Sequence, residues 1–208
     1  GVRLGSGYFN AATRTRSDGV QWLVASHSQW THDSSQGDAV LARVPASGAP
    51  GAGFNPTPVS GGSGDLDIAF SGTKYLLVWR SNSLANANNY VSGRIMNADG
   101  TYATGAFVIA EAAGRQLRPT AVWDGAHFLV AWDDQRNQEK FYDDRTQVYG
   151  VYVSEAGGVL GPAFRLDISE TVSCSPALAG TGEHLVLAAT PRFAITGGRS
   201  SYRVGVTR

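Results

Sequence analysis

The chain has a single cysteine, Cys174, a single methionine and only two lysines, Lys74 and Lys140, in 208 residues. One thiol excludes an intrachain disulfide and any cysteine-rich zinc site. No run of about 18 apolar residues is present to form a membrane-spanning helix. Charge of one sign is also lacking: 17 Lys and Arg offset 17 Asp and Glu. No net field therefore draws the chain to nucleic acid or to an anionic membrane surface. Helical periodicity is missing throughout. The chain starts at Gly1, so a leader peptide is expected to be absent or already removed. What is abundant is glycine, at 26 residues, with 5 Trp, 8 Tyr and 8 Phe in a sequence that is 42% hydrophobic. That composition suits a turn-rich β protein with a sizeable core.

A repeat organises the chain. A small or acidic residue precedes a glycine, two residues follow, and then comes an apolar run. Asp18-Gly19 leads to Trp22-Leu23-Val24-Ala25, and Ser71-Gly72 leads to Tyr75-Leu76-Leu77-Val78-Trp79. Asp124-Gly125 leads to Phe128-Leu129-Val130-Ala131-Trp132, and Thr181-Gly182 leads to Leu185-Val186-Leu187-Ala188. The glycines are 53, 53 and 57 residues apart. After a polar stretch each copy carries an alternating segment: Val40–Val44, Val91–Ile95, Val148–Val153 and Tyr202–Val206. A Gly-x-x-Phe phrase follows at Gly51–Phe54 and Gly161–Phe164, and copy two departs from it with Thr104 before Phe107.

Each copy reads as four short antiparallel strands, because period-2 alternation and aromatic or β-branched residues mark strands. Asp-Gly pairs supply the hairpin turns. Four strands repeated at about 50 residues describe the blade of a β-propeller. The expected architecture is a single all-β domain over 1–208, a four-bladed propeller. Its repeats lie at about 11–60, 61–114, 115–170, and 171–208 plus 1–10. The opening Val2-Arg3-Leu4 matches Phe164-Arg165-Leu166, so the N-terminal strand is expected to complete the last blade and cover its edge. The rival arrangement is half of an eight-bladed ring completed by a second copy.

The phrases Asp124–Arg136 and Val148–Val153 resemble a repeat of large secreted and surface proteins of bacteria. That repeat runs as an Asp-Gly turn, an aromatic-Leu-Val-x-Trp strand, an acidic-Arg corner and a Tyr-Gly strand. The resemblance spans nearly the whole chain and is strongest in copies two and three. Copies one and four have Ser26 and Ala189 where the tryptophan stands. It implies an extracellular or cell-surface propeller with binding roles, and it carries no catalytic residues to this chain.

Long polar connections between second and third strands are expected to share one face, where binding residues tend to gather. Trp30, His32, Tyr90, Arg136, Tyr142 and Phe193 are the candidate ligand-binding residues there. Aromatic rings beside Asn and Asp suit either a sugar or a protein hot spot. Asp133, Asp134, Asp143 and Asp144 with Glu139 could gather Ca²⁺. The interleaved Arg136, Lys140 and Arg145 favour a salt-bridged hairpin instead. On the inner strands, Asp65 and Asp67 align with Arg118 and Thr120, with Ser175 and Ala177, and with Ala12 and Arg14. Asp65, Asp67 and Arg118 are thus candidate channel residues, an Asp65–Arg118 ion pair plugging the channel being the default. His127 and His184 recur beside turns, which argues a structural role, and Cys174 reads as a small buried hydrophobe.

The function expected from the sequence is a non-catalytic extracellular module that recognises a glycan or a protein through its long-loop face. No metal or cofactor, no nucleic acid and no membrane insertion are expected, and self-assembly is possible. The alternatives are a structural subunit of a surface assembly and a glycoside hydrolase at the channel mouth, since paired carboxylates serve that chemistry.

Overall fold

The computed structural model describes residues 9–29, 37–47, 51, 63–82, 89–137, 146–167, 172–180, 185–195, 199–202 and 205–207. Among these residues every regular element is a β-strand. The first unit comprises β1 (Phe9–Ser17), β2 (Gln21–Gln29) and β3 (Gly37–Pro45). The second comprises β4 (Ser63–Phe70), β5 (Lys74–Asn82), β6 (Asn89–Asn97) and β7 (Phe107–Ala110). The third comprises β8 (Gln116–Trp123), β9 (Phe128–Asp134), β10 (Gln147–Val153) and β11 (Val159–Arg165). The last comprises β12 (Val172–Gly180), β13 (Leu185–Ile195), β14 (Arg199–Tyr202) and β15 (Gly205–Thr207). Strands within a unit pair antiparallel with their sequence neighbours, and β14 and β15 both pair with β13.

The repeated turn has one chemistry. Asp18 Oδ1 accepts the backbone N–H groups of Val20 and Gln21 at 2.8 and 2.7 Å. Asp124 Oδ1 accepts those of Ala126 and His127, both at 2.7 Å. Ser71 Oγ does the same for Thr73 and Lys74 at 3.2 and 2.9 Å. The residue before the glycine thus replaces missing backbone partners. The glycine takes φ of 91° at Gly19, 103° at Gly72 and 106° at Gly125, a region other residues avoid.

The core lies between units. Successive side chains of a strand point to opposite faces, and β5 is buried on both. Tyr75, Leu77 and Trp79 pack with Leu23, Ala25 and Leu41 of the first unit. Leu76 and Val78 pack with Ala121, Phe128, Val130 and Trp132 of the third. A smaller cluster joins Ala131 and Val148 to Leu187 of the last unit. Double-sided burial explains why these runs are continuously apolar rather than alternating. Trp79 and Trp132 are fully buried at equivalent positions, each facing the preceding unit. On the first unit the corresponding face carries Trp22, which is 49% exposed.

Close packing also explains the glycine in the third strand. A Cβ on Gly93 would stand 2.6 Å from Ile109 Cδ1, and one on Gly150 would stand 2.5 Å from Leu166 Cδ1 and 3.0 Å from the carbonyl oxygen of Val130.

Several boundaries expected from sequence shift. Ser26–Gln29, Asn82, Asn89, Tyr90, Asp133 and Asp134 belong to strands, because pairing continues past the apolar run as far as Gln29↔Gly37, Asn82↔Asn89 and Gln147↔Asp134. Residues 190–195 likewise extend β13 instead of forming a loop. The third strand of copy four is broken into β14 and β15. The N-terminal segment expected to close the last blade lies outside the described residues.

Candidate functional site

The site is built by a defect repeated in the inner strands. The β1, β4, β8 and β12 registers all shift at one place, between Asn10 and Ala12, Gly64 and Leu66, Leu117 and Thr120, and Cys174 and Ala177. In three of them a non-glycine residue there has positive φ: 44° at Asp65, 49° at Arg118 and 57° at Ser175. Such bulges re-aim a side chain, and strained backbone of this kind concentrates at functional sites. The shifts lie toward the end of the strands from which the second-to-third connections leave, since Gly64 pairs with Arg80 near the end of β5.

These four strands converge on a cavity of about 600 Å³. Arg14 and Arg16 of β1, Asp65 and Asp67 of β4, Arg118 and Thr120 of β8, and Ser175 and Ala177 of β12 line it. The three channel residues expected from the sequence, Asp65, Asp67 and Arg118, are therefore brought together here.

Their partners differ from expectation. Asp65 and Arg118 do not plug the cavity as a pair; each turns to the second strand of its own unit. Asp65 Oδ2 lies 3.1 Å from Arg80 Nε, and Arg118 Nε donates to Asp133 Oδ2. Arg80 and Asp133 hold equivalent positions after Trp79 and Trp132, so the two units carry the same ion pair with its charges exchanged. Asp67 ties units together. Its Oδ2 accepts from Thr120 Oγ1 at 2.7 Å and from Ala121 N at 3.1 Å. Its Oδ1 accepts from Ile68 N at 2.9 Å, with Arg14 Nε 3.9 Å away.

Asp133 is the residue that sequence reasoning placed wrongly, in a solvated acidic loop. It is fully buried at the end of β9, beneath Arg118, and accepts Ser175 N at 2.9 and 3.2 Å. Burial pushes its carboxyl up to about 6, against the attraction of Arg118 and the hydrogen bond from Ser175, and the charge of Asp65 adds to the rise. A signal was present: the Asp65/Arg118 column and the Arg80/Asp133 column of the aligned copies reverse sign together.

The loop-face candidates fare differently. Trp30, His32 and Tyr142 lie outside the described residues. Phe193 is in β13 rather than in a loop. Tyr90 is half-buried in β6. Arg136 is committed to structure: its Nε and Nη2 grip Asp134 at 2.8 and 2.7 Å, and its guanidinium stacks on Tyr149 at 4.0 Å. Asp134 also accepts the indole N–H of Trp132 at 2.7 Å. The hydrogen bonds from Arg136 outweigh its partial burial and hold the guanidinium proton more tightly than usual. Among the described residues no three His, Cys, Asp or Glu side chains are grouped to hold a metal ion. No helix among them is long and apolar enough to cross a membrane.

No protein-family model matches the chain, and comparison with curated proteins finds no sequence match. The secreted-repeat resemblance is thus left as a likeness of phrases. Solved structures, in contrast, share the fold. A thermostable family-43 glycoside hydrolase is 9% identical with a TM-score of 0.61, over 94% of this chain and 70% of that one. The α-L-arabinofuranosidase of Lactobacillus brevis is 12% identical with a TM-score of 0.60, over 93% and 70%. The GH43 endo-arabinanase of Bacillus licheniformis is 12% identical with a TM-score of 0.55, over 93% and 72%. These are β-propeller enzymes, and the propeller class expected from the repeats is the fold they share with this chain. The likeness corrects the expectation of a non-catalytic module reading its ligand through the loops. The three propellers named above are glycoside hydrolases, and among the described residues the cavity is walled by inner-strand carboxylates and arginines.

Proposed function

We propose that this chain is a glycoside hydrolase whose active site is the cavity at the mouth of the channel. We also propose that its four units form a four-bladed propeller working outside the cell. The observation that carries the reading is an exposed carboxylate, Asp65, on the cavity wall, with a buried one, Asp133, beneath the wall's Arg118 and its carboxyl pushed up to about 6. Glycoside hydrolysis needs two carboxyl groups with different tasks, one giving a proton and one acting as base or nucleophile. Environments that set two carboxyls apart are how a fold assigns those tasks.

Asp133 is the proton donor in this reading. The glycosidic C–O bond breaks as Asp133 gives its proton to the leaving oxygen. Asp65, whose side chain is 42% exposed, serves the anomeric carbon, taking a proton from the attacking water or attacking directly. Asp67, bound by Thr120, Ala121 and Ile68, keeps the wall in place and positions the substrate. The positive-φ bulges turn Asp65 and Arg118 toward the cavity at a conformational cost of about 1–2 kcal/mol each, which suits residues retained for chemistry.

The test is turnover of aryl α-L-arabinofuranoside and debranched arabinan, the substrates suggested by the arabinan-acting enzymes of similar fold. Hydrolysis that falls at least ~100-fold in both Asp65→Asn and Asp133→Asn, with folding intact, is the expected result for general acid–base residues. Wild-type hydrolysis that survives both substitutions would overturn the assignment.

A further inference from the structure

We infer that the sugar taken by this cavity carries a carboxylate, and that Arg118 and Arg14 hold it. The inference rests on the hydrolase reading above and names its substrate class. Among the described residues three arginines, Arg14, Arg16 and Arg118, line the cavity against two aspartates, Asp65 and Asp67. Asp133 balances the third arginine only while ionised, and a proton donor must be neutral. When the site is ready to act, the described residues therefore leave one cationic charge uncompensated. Asp65 is in addition shared with Arg80, which deepens the deficit of negative charge.

The arginines are placed to receive such a group. Arg118 engages Asp133 through Nε, and its side chain is 44% exposed. Among the described residues no further hydrogen bond occupies its two terminal nitrogens. Arg14 donates from Nη1 to the adjacent carbonyl of Thr13 at 3.2 Å and reaches Asp67 at 3.9 Å, with a side chain 53% exposed. Arg16 is held by its Nε on the carbonyl of Ile68 at 3.1 Å. A planar guanidinium matches a carboxylate in two parallel hydrogen bonds, and such pairs are stronger than those to a hydroxyl. A neutral sugar would cover these cations without replacing their water, at a desolvation cost.

The exchange has a consequence for Asp133. It is buried beneath Arg118 and out of reach of a substrate while that pair holds. A substrate carboxylate that draws Arg118 outward uncovers Asp133 and removes the cation that favours its ionised form. The substrate thereby readies the acid that cleaves it.

The test is calorimetric binding of tri-galacturonate and of arabinotriose to the folded chain, with hydrolysis of each followed in parallel. Tri-galacturonate is expected to bind at least ~10-fold more tightly than arabinotriose, and Arg118→Gln and Arg14→Gln each to lose ~10–100-fold of that affinity. Arg14 is exposed enough that its substitution leaves the fold intact, so the inference stays testable if the Arg118 variant unfolds. Equal or weaker binding of tri-galacturonate, or binding indifferent to both arginines, overturns the inference. Hydrolysis of arabinotriose alone overturns it and leaves the hydrolase reading standing. Arginine-dependent binding of tri-galacturonate with no cleavage of either sugar upholds the anion site and defeats the hydrolase reading.

Discussion

Asp133→Asn is expected to stabilise the protein at neutral pH while lowering its activity at least ~100-fold. In the unfolded chain the carboxyl titrates near 3.8, and in the fold it titrates near 6. A carboxyl raised in the fold contributes most below its unfolded value, and that contribution is lost as pH rises through 6. Above pH 6 the fold carries the full cost of ionising a buried group. Two pH units at about 1.4 kcal/mol each make that cost ~3 kcal/mol. The figure already includes the attraction of Arg118, which lowers the value without cancelling the effect of burial. Asparagine has the same shape, cannot ionise, and can still accept the N–H of Ser175. Arg118, about half exposed, is then solvated by water. Urea denaturation of both proteins from pH 4 to pH 8 measures the difference. The variant should match the wild type near pH 4 and exceed it by up to ~3 kcal/mol above pH 6. A variant less stable than the wild type by more than ~1 kcal/mol at pH 7.5 would show that the Arg118 pair outweighs burial, and the reasoning would fail.

The catalytic consequence is a kcat/KM that declines as pH rises through about 6, a limb that should vanish in the residual activity of Asp133→Asn. Trp132→Ala should cost ~3–5 kcal/mol in chemical denaturation, since it empties the packing between two units and removes a donor from Asp134; an unchanged melting temperature would refute that packing role. Gly150→Ala should lose ~1–3 kcal/mol, because its methyl group meets Leu166 on one side and a carbonyl oxygen on the other. Ser175→Gly should leave stability unchanged or raise it by ~1 kcal/mol, relieving a positive φ while keeping the N–H that Asp133 accepts. A clear loss there would mean that the Ser175 hydroxyl is needed.

The repeat was legible because it is written in local chemistry. The Asp or Ser before the turn glycine has a job that three residues suffice to define, and Asp18, Ser71 and Asp124 do it in the same way. The channel candidates Asp65, Asp67 and Arg118 were legible for a related reason, as aligned copies place their columns on one inner strand. Arg136 was misjudged because an exposed-looking arginine after two aspartates gives no sign that Asp134 and Tyr149 engage it. Asp133 was misjudged for the same cause: strand pairing carries the sequence Trp-Asp-Asp into the sheet, past the point where polarity suggests a loop.

Period, turn chemistry and strand order came from the sequence by itself, since they depend on residues close together in the chain. The tertiary structure alone decided which carboxylate is buried, which arginine covers it and which charges face a shared cavity. Those outcomes depend on side chains from inner strands some 50 residues apart. Burial and charge pairing are properties of the space between units, and no single unit contains that space.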